Sequence, residues 1–293
     1  MVSSILKAVG VLVGVWLLLI MVGYLLLKPL RPARTNLTLP LHEGVTYKRT
    51  AVTRPRPVQV HVVTIDLAVN SAEFLITSPT QIGTEQPYNA QTTAEFLRES
   101  GVDLAINAGF FFPFWSNHPF SFYPHAGDPV TPLGVTIADG AFIQTQDLDE
   151  LFVLCINSND FLLHKDFCPA DTPHAVSGNL LYIQASQPRL PDNHKSKPLP
   201  RTMFAYNNAA QKVWIVVADG RQPLYSRGLT LLEMQEIAVN LGAEGAINLD
   251  GGGSSTLVFN LEDKPYTLNA PIHTRIPMRQ RPVANHIGVR LTD

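Results

Sequence analysis

Along this chain the spacing of apolar residues changes several times, and each change predicts a different element. From Ala8 to Leu27 no charged residue interrupts the run, and about 20 successive apolar residues suit a bilayer-spanning helix. Residues 28–57 carry proline and arginine without a sustained period, which reads as a linker. Beyond them come short β-prone runs over Val58–Leu67, Glu73–Thr77, Gly134–Ile137, Leu151–Ile156, Leu180–Ile183 and Val213–Ala218. Two helices are marked by capping boxes. Thr92 with Glu95 opens one that ends at Gly101, and Thr230 with Glu233 opens the period Met234, Ile237, Ala238, Leu241 that ends at Gly242. The expectation is one α+β domain over residues 58–293, with a mixed, mainly antiparallel sheet and few short helices, preceded by a transmembrane helix over residues 1–27.

The second helix leads through Gly245–Leu249, apolar enough for a buried strand, into a glycine-rich turn. The first does the same through Leu104–Asn107, Ala108 and Gly109. Capped helix, glycine stop, apolar strand and Asn/Gly turn therefore occur twice, which predicts neighbouring strands whose C-terminal turns meet at one pocket. Between Phe114 and Val130, Trp115, His118, Phe120, Phe122, Tyr123, His125 and Asp128 follow neither period, which reads as a long loop. It serves either as an aromatic platform for a sugar or as a satellite core.

The chain has 293 residues, 45% hydrophobic and 16% charged, enough apolar content for a large core and too little charge for disorder. A formal charge of −2 gives no basic footprint for nucleic acid. Lys7 before the apolar run fits a signal-anchor, with a cleaved secretory signal as the alternative. Lys28, Arg31 and Arg34 after the run favour a cytoplasmic domain by the positive-inside rule. Cys155 and Cys168 are close enough in sequence for a disulfide outside the cytoplasm, with two free buried thiols the other reading.

The densest chemistry is in Asn248-Leu-Asp-Gly-Gly-Gly-Ser-Ser-Thr256. A carboxylate at a strand end, three residues without side chains and two hydroxyls let backbone N–H groups crowd an anionic or sugar-like ligand. A glycine-rich hairpin is the structural alternative. No lysine follows before Lys264, so this is not a P-loop, and Ser254 and Ser255 lack the Gly-x-Ser-x-Gly of a nucleophile elbow.

Seven blocks in order carry a resemblance: Asn107-Ala-Gly-Phe-Phe111, Val176-Ser-Gly-Asn-Leu180, Pro200-Arg-Thr202, Val216-Val-Ala-Asp-Gly-Arg221, Gly228-Leu-Thr-Leu231, Asn248 to Ser255, and Arg281-Pro-Val-Ala-Asn285. From Leu104 onward the chain resembles the phosphodiester glycosidase family, which includes the lysosomal uncovering enzyme that removes N-acetylglucosamine from phosphodiester-linked mannose and bacterial members associated with exopolysaccharide. It departs from the family at Ala108, Phe112 and Met203-Phe-Ala. The resemblance implies an extracytoplasmic hydrolase of sugar-1-phosphodiesters, with Asp250 and Asp219 as catalytic carboxylates. It implies substrate contacts from Asn107, Gly109, Arg201, Thr202, Arg221, Gly251, Gly252, Gly253, Ser254, Ser255, Arg281 and Asn285.

These residue types suit that chemistry. Arginine forks and glycine N–H groups bind phosphate oxygens, asparagine amides bind sugar hydroxyls, and a carboxylate attacks the anomeric centre or activates water. Phosphate is already a good leaving group, so arginine neutralisation substitutes for a strong general acid. No histidine pair has metal spacing, so no cofactor is expected and no metal is assigned, a divalent cation on Asp219, Asp250 and Asn107 being the open alternative. Two other functions compete: a non-catalytic module binding anionic polysaccharide at the cell envelope, and a serine hydrolase using Ser254 or Ser255.

Overall fold

Alternating burial along Val58–Asp66 shows how the sheets are made: every second side chain from Val63 onward enters the core while its neighbours do not. In the computed structural model of the protein, the described residues are 2–27, 30–144, 151–158, 160–165 and 167–292. They form two units, Met1–Ala33 and Arg34–Asp293.

The first unit contains helix α1, Val2–Leu27, with Val11, Leu12, Trp16, Leu17 and Leu19 exposed. Among the described residues no helix is long and apolar enough to cross a membrane, and several α1 side chains, with Lys28 and Pro29, lie outside them.

In the second unit an eight-stranded antiparallel sheet runs in the order Leu37–His42, Val45–Val52, Val58–Asp66, Lys212–Ala218, Arg201–Asn207, Gly245–Asn248, Leu180–Gln184, Gln187–Pro188. Its first two strands lie within the span expected to be linker. Leu37, Leu39 and Leu41 alternate there, and Val45 and Tyr47 are buried opposite Ile65 and Val63. Pro40 is tolerated because its strand is the sheet edge. The proline and arginine content that suggested a linker masks a period-2 pattern.

A five-stranded antiparallel sheet contains Lys264–Thr267, Leu257–Leu261, Leu104–Asn107, His286–Leu291 and Ala72–Ile76. Another contains Ala141–Gln144, Val135–Ala138, His174–Gly178, Phe152–Asn157 and Asp160–His164. Among the described strands every ladder is antiparallel, where a mixed sheet was expected. The three sheets share one core through Ile65, Phe204, Ile215, Ile106, Ile287, Leu154 and Val176.

The two α-helices described in this unit lie outside that core. α2, Thr93–Ser100, packs Phe96 and Leu97 against Ala105 and Val258, and α3, Leu231–Leu241, packs Met234 and Ala238 against Met203, Trp214 and Ala246. This is why Val213–Ala218 reads as an unbroken apolar run: α3 and the shared core cover both faces. Both capping boxes form, and Gly101 and Gly242 each take a left-handed conformation.

The expected loop over residues 114–130 instead holds a short hairpin, Trp115–His118 with Ser121–Tyr123, Trp115 stacking on Tyr123 at 4.5 Å. Cys155 and Cys168 form a disulfide with Cα atoms 5.6 Å apart.

Candidate active site

The strands Leu104–Asn107 and Gly245–Asn248 belong to different sheets, so they are not ladder neighbours. Their C-terminal turns nonetheless meet. Asn107 Nδ2 donates to the Asp250 carbonyl at 2.6 Å, and the Asp250 N–H donates to the Ala108 carbonyl at 2.9 Å. This seam fixes Asp250 at the wall of a cavity of about 920 Å³, lined also by Phe110, Phe114, Asn179, Asn248, Arg201, Arg221, Arg275 and Arg281.

Asp250 is the one carboxylate among the described lining residues, against four guanidinium groups. Burial pushes its carboxyl above the ordinary carboxylate value, opposed by Arg281, by hydrogen bonds from Ser254 and the Gly251 N–H, and by Arg221. Ser254 Oγ donates to Asp250 Oδ2 at 2.5 Å and accepts from Arg281 Nη1 at 3.0 Å. With its hydroxyl so engaged and no exposed surface, Ser254 is not placed as a serine-hydrolase nucleophile. Ser255 is buried, and its Oγ has no partner among the described residues.

The cations are crowded. Burial pulls Arg281 down to about 10, with Asp250 opposing and Arg221 adding to the shift. Arg201 and Arg221 are also lowered, first by burial and then by their arginine neighbours, while Tyr182 and Asp250 respectively oppose. All remain charged at neutral pH, so a bound anion relieves their mutual repulsion. Arg281 stacks on Phe114, 4.2 Å from the ring centroid, and its Nε donates to His273 Nδ1 at 3.2 Å. Burial, then Arg281, holds His273 at about 3, so the imidazole is neutral and can accept that bond.

The guanidinium groups explain two of the three glycines. A Cβ on Gly252 would meet Arg221 Nη2 at 2.9 Å, and one on Gly253 would meet Arg281 Nη2 at 2.5 Å. The glycine run thus admits the cations as well as a ligand.

Several residues expected to touch substrate hold the wall from behind. Asn107 Oδ1 accepts from Thr202 Oγ1 at 3.0 Å and from the Thr256 N–H at 3.1 Å. Asn285 Oδ1 accepts from the Gly109 N–H at 2.9 Å, while its Nδ2 donates to Thr136 at 3.0 Å. Asn107, Gly109, Thr202 and Asn285 are fully committed and buried, and Ser254 and Ser255 are buried with them.

Asp219, expected as a second catalytic carboxylate, is 1% exposed and does not line the cavity. His61 Nε2 meets its Oδ2 at 2.9 Å, and Asn269 Nδ2 and the Ala270 N–H donate to Oδ1 at 3.1 and 2.7 Å. Tyr47 continues the chain to His61 Nδ1 at 2.8 Å. Asp219 therefore anchors the Asn269–Ala270 turn, and its strand leads directly to Gly220 and Arg221 at the cavity.

Arg275, Asn179, Asn248, His273 and Phe114 were not predicted. Asn179 and Asn248 stood in quoted motifs. Arg275 and His273 had no periodic or motif signal, because a short 3₁₀ turn, His273–Arg275, with left-handed φ at Thr274, Arg275 and Met278, carries Arg275 to the cavity and sets buried His273 against Arg281. Among the described residues no cluster of three or more His, Cys, Asp or Glu side chains could hold a metal.

An antiparallel multi-sheet domain presents, among the described residues, one carboxylate and four arginines to a single cavity, a charge pattern suited to an anionic ligand. A family model described as NAGPA, phosphodiester glycosidase, matches residues 100–290. The chain belongs to the phosphodiester glycosidase family, a family of hydrolases. Its fold is similar to a hypothetical protein from Synechocystis, with a TM-score of 0.57, 16% identity and coverage of 89% of this chain and 64% of the other. It is similar to the zebrafish N-acetylglucosamine-1-phosphodiester alpha-N-acetylglucosaminidase catalytic domain auto-inhibited by pro-peptide, with a TM-score of 0.58, 17% identity and coverage of 89% and 86%. A putative exported protein from Burkholderia pseudomallei gives a TM-score of 0.54 at 14% identity, covering 80% and 74%. No curated protein is significantly similar in sequence.

Proposed function

We propose that the protein hydrolyses sugar-1-phosphodiesters in extracytoplasmic glycan or envelope-polysaccharide processing. One observation carries the reading: Asp250 is the lone carboxylate among the described residues of a cavity that also presents Arg201, Arg221, Arg275 and Arg281. In this reading the arginines take the phosphate oxygens, and Asp250 acts at the anomeric carbon, either attacking it or activating water. Expulsion of a phosphate monoester from the anomeric carbon needs charge neutralisation more than protonation, which suits four cations and, among the described lining residues, no second carboxylate. The anomer of the first-formed product, followed by NMR, separates attack from water activation.

Residues 1–27 serve in this proposal as a signal-anchor, with the catalytic domain on the outer side of the membrane. The length and apolarity of Ala8–Leu27 and the Cys155–Cys168 disulfide support this setting, since disulfides persist in oxidising compartments. The competing reading, a binding module for anionic polysaccharide, predicts saturable binding without product. Incubating wild type and Asp250→Asn with a panel of sugar-1-phosphodiesters, one bearing N-acetylglucosamine, decides between them. Turnover by wild type alone supports hydrolysis, and binding by both without product supports the module.

A further inference from the structure

We propose that Asn179 selects the sugar by donating to an acceptor-only oxygen on it, a carbonyl or a carboxylate, and that buried Tyr182 fixes this polarity through Asn248. The inference rests on the sugar-phosphodiester reading of the cavity and adds which group on the sugar is read.

The polarity follows from a three-member hydrogen-bond chain. Tyr182 is fully buried, and its hydroxyl's one described partner is Asn248 Oδ1 at 2.6 Å. A buried phenol that fails to donate forfeits its hydrogen bond, and burial raises this group's pKa, so it stays protonated. The phenol therefore donates, and Asn248 must present its oxygen. Its amide nitrogen then faces Asn179 and donates to Oδ1 at 2.7 Å. With its oxygen engaged by Asn248, Asn179 keeps an NH₂ that has no partner among the described residues, beside the cavity that Asn179, Asn248 and Asp250 line together. Reversing Asn179 alone would set two donors against each other, and reversing Asn248 alone would set its oxygen against that of Asn179 and leave the phenol without an acceptor.

Such a fixed direction has a chemical consequence. A sugar hydroxyl both donates and accepts, so either end of an amide can read it, whereas a carbonyl or carboxylate oxygen is read by the nitrogen alone. The geometry is also tied to the reaction centre. Asn248 stands two residues before Asp250, and a Cβ on Gly178 would meet the Asn248 carbonyl at 2.3 Å, so the strand ends carrying the two asparagines are pressed together.

The test uses three sugar-1-phosphodiesters that differ in one substituent: acetamido, carboxylate or hydroxyl. Their kcat/KM values are measured with wild type, Asn179→Asp and Tyr182→Phe, with thermal unfolding as the check on folding. Asn179→Asp replaces the donor with an acceptor. It is expected to lower kcat/KM for the preferred acceptor-only compound about 100-fold relative to the hydroxyl compound. Tyr182→Phe, which lets Asn248 rotate, is expected to cost the same compound about tenfold with the hydroxyl compound unchanged. Whether the acetamido or the carboxylate compound responds identifies the source of the oxygen. Equal losses on all three compounds, or none, overturn the proposal. Should wild type turn over none of them, the hydrolytic reading fails separately, and calorimetric binding of the three to Asn179→Asp against the parent chain gives the same discrimination.

Discussion

Arg281 and Asp250 are joined through a hydroxyl: Ser254 accepts from Arg281 Nη1 at 3.0 Å and donates to Asp250 Oδ2 at 2.5 Å. The link orients the carboxylate and passes part of the guanidinium charge to it, while leaving the cation free to meet a substrate anion. Burial pushes the Asp250 carboxyl upward against this pull, so the site keeps a carboxylate in an environment that disfavours its charge.

Asp250→Asn tests that tension in two ways. Turnover should fall by on the order of 10⁴-fold, as for other residues at the reacting centre. Because the folded pKa is raised, the group's contribution to stability is present at low pH and lost as pH rises through the raised value. The Asn variant should therefore melt higher than wild type at pH 7, with the gap closing below the ordinary value of 3.8. A variant that melts lower than wild type at pH 7 contradicts the burial argument.

Gly253→Ala and Gly178→Ala should fail differently. The first sets a methyl 2.5 Å from the end of the flexible Arg281 side chain, which can swing away; the second sets one 2.3 Å from the Asn248 carbonyl, which cannot. Gly253→Ala is expected to fold and lose about 100-fold in kcat/KM, whereas Gly178→Ala should mainly reduce soluble yield and melting temperature. Circular dichroism melts beside kinetics distinguish the two.

Asp219→Ala should damage the fold. Removing the carboxylate strands His61, Asn269 and the Ala270 N–H in a buried site, a loss of about 3 kcal/mol or more. Urea unfolding should show this. If Asp219→Ala were fully stable yet inactive, the supporting role assigned to it would be wrong.

Acid sensitivity should come from two histidines. Burial holds His273 and His286 at about 3 against 6.5 for free imidazole, Arg281 adding to the effect at His273. Depressed folded values stabilise the protein fully above pH 6.5, and the contribution erodes as pH falls from there towards 3. Melting temperature should decline across that window, and His286→Gln should decline less steeply. Parallel pH curves for the two proteins count against this source.

The Cys155–Cys168 bridge closes a loop with a sequence separation of 13. Converting both to serine should cost about 3 kcal/mol, by loop entropy in the unfolded chain. Neither cysteine lines the active-site cavity, so KM should be unchanged. An altered KM would mean that the bridge shapes the site.

Much of the architecture was legible locally. Thr92 with Glu95 and Thr230 with Glu233 each satisfy helix N-terminal N–H groups within four residues of chain, so sequence spacing alone shows the caps. The strands Leu37–His42 and Val45–Val52 were hidden because Pro40 and nearby arginines resemble linker composition, and only an edge position makes that proline acceptable. Arg275 gave no signal, since its place depends on left-handed backbone at Thr274, Arg275 and Met278.

By itself the sequence determined the two capped helices, the antiparallel β character, the family and the importance of Asn248 to Ser255, because each rests on short-range spacing or on motifs in order. Tertiary structure alone decided which aspartate faces the cavity. Asp219 and Asp250 both end apolar strands beside glycine, an identical local pattern. Asp219 ends a strand beside the one that carries His61, and its oxygens are taken in the interior. Asp250 ends a strand that the Asn107 turn holds open to four arginines. The difference lies in what surrounds each strand end, and that is set by sheet order across residues far apart in the chain.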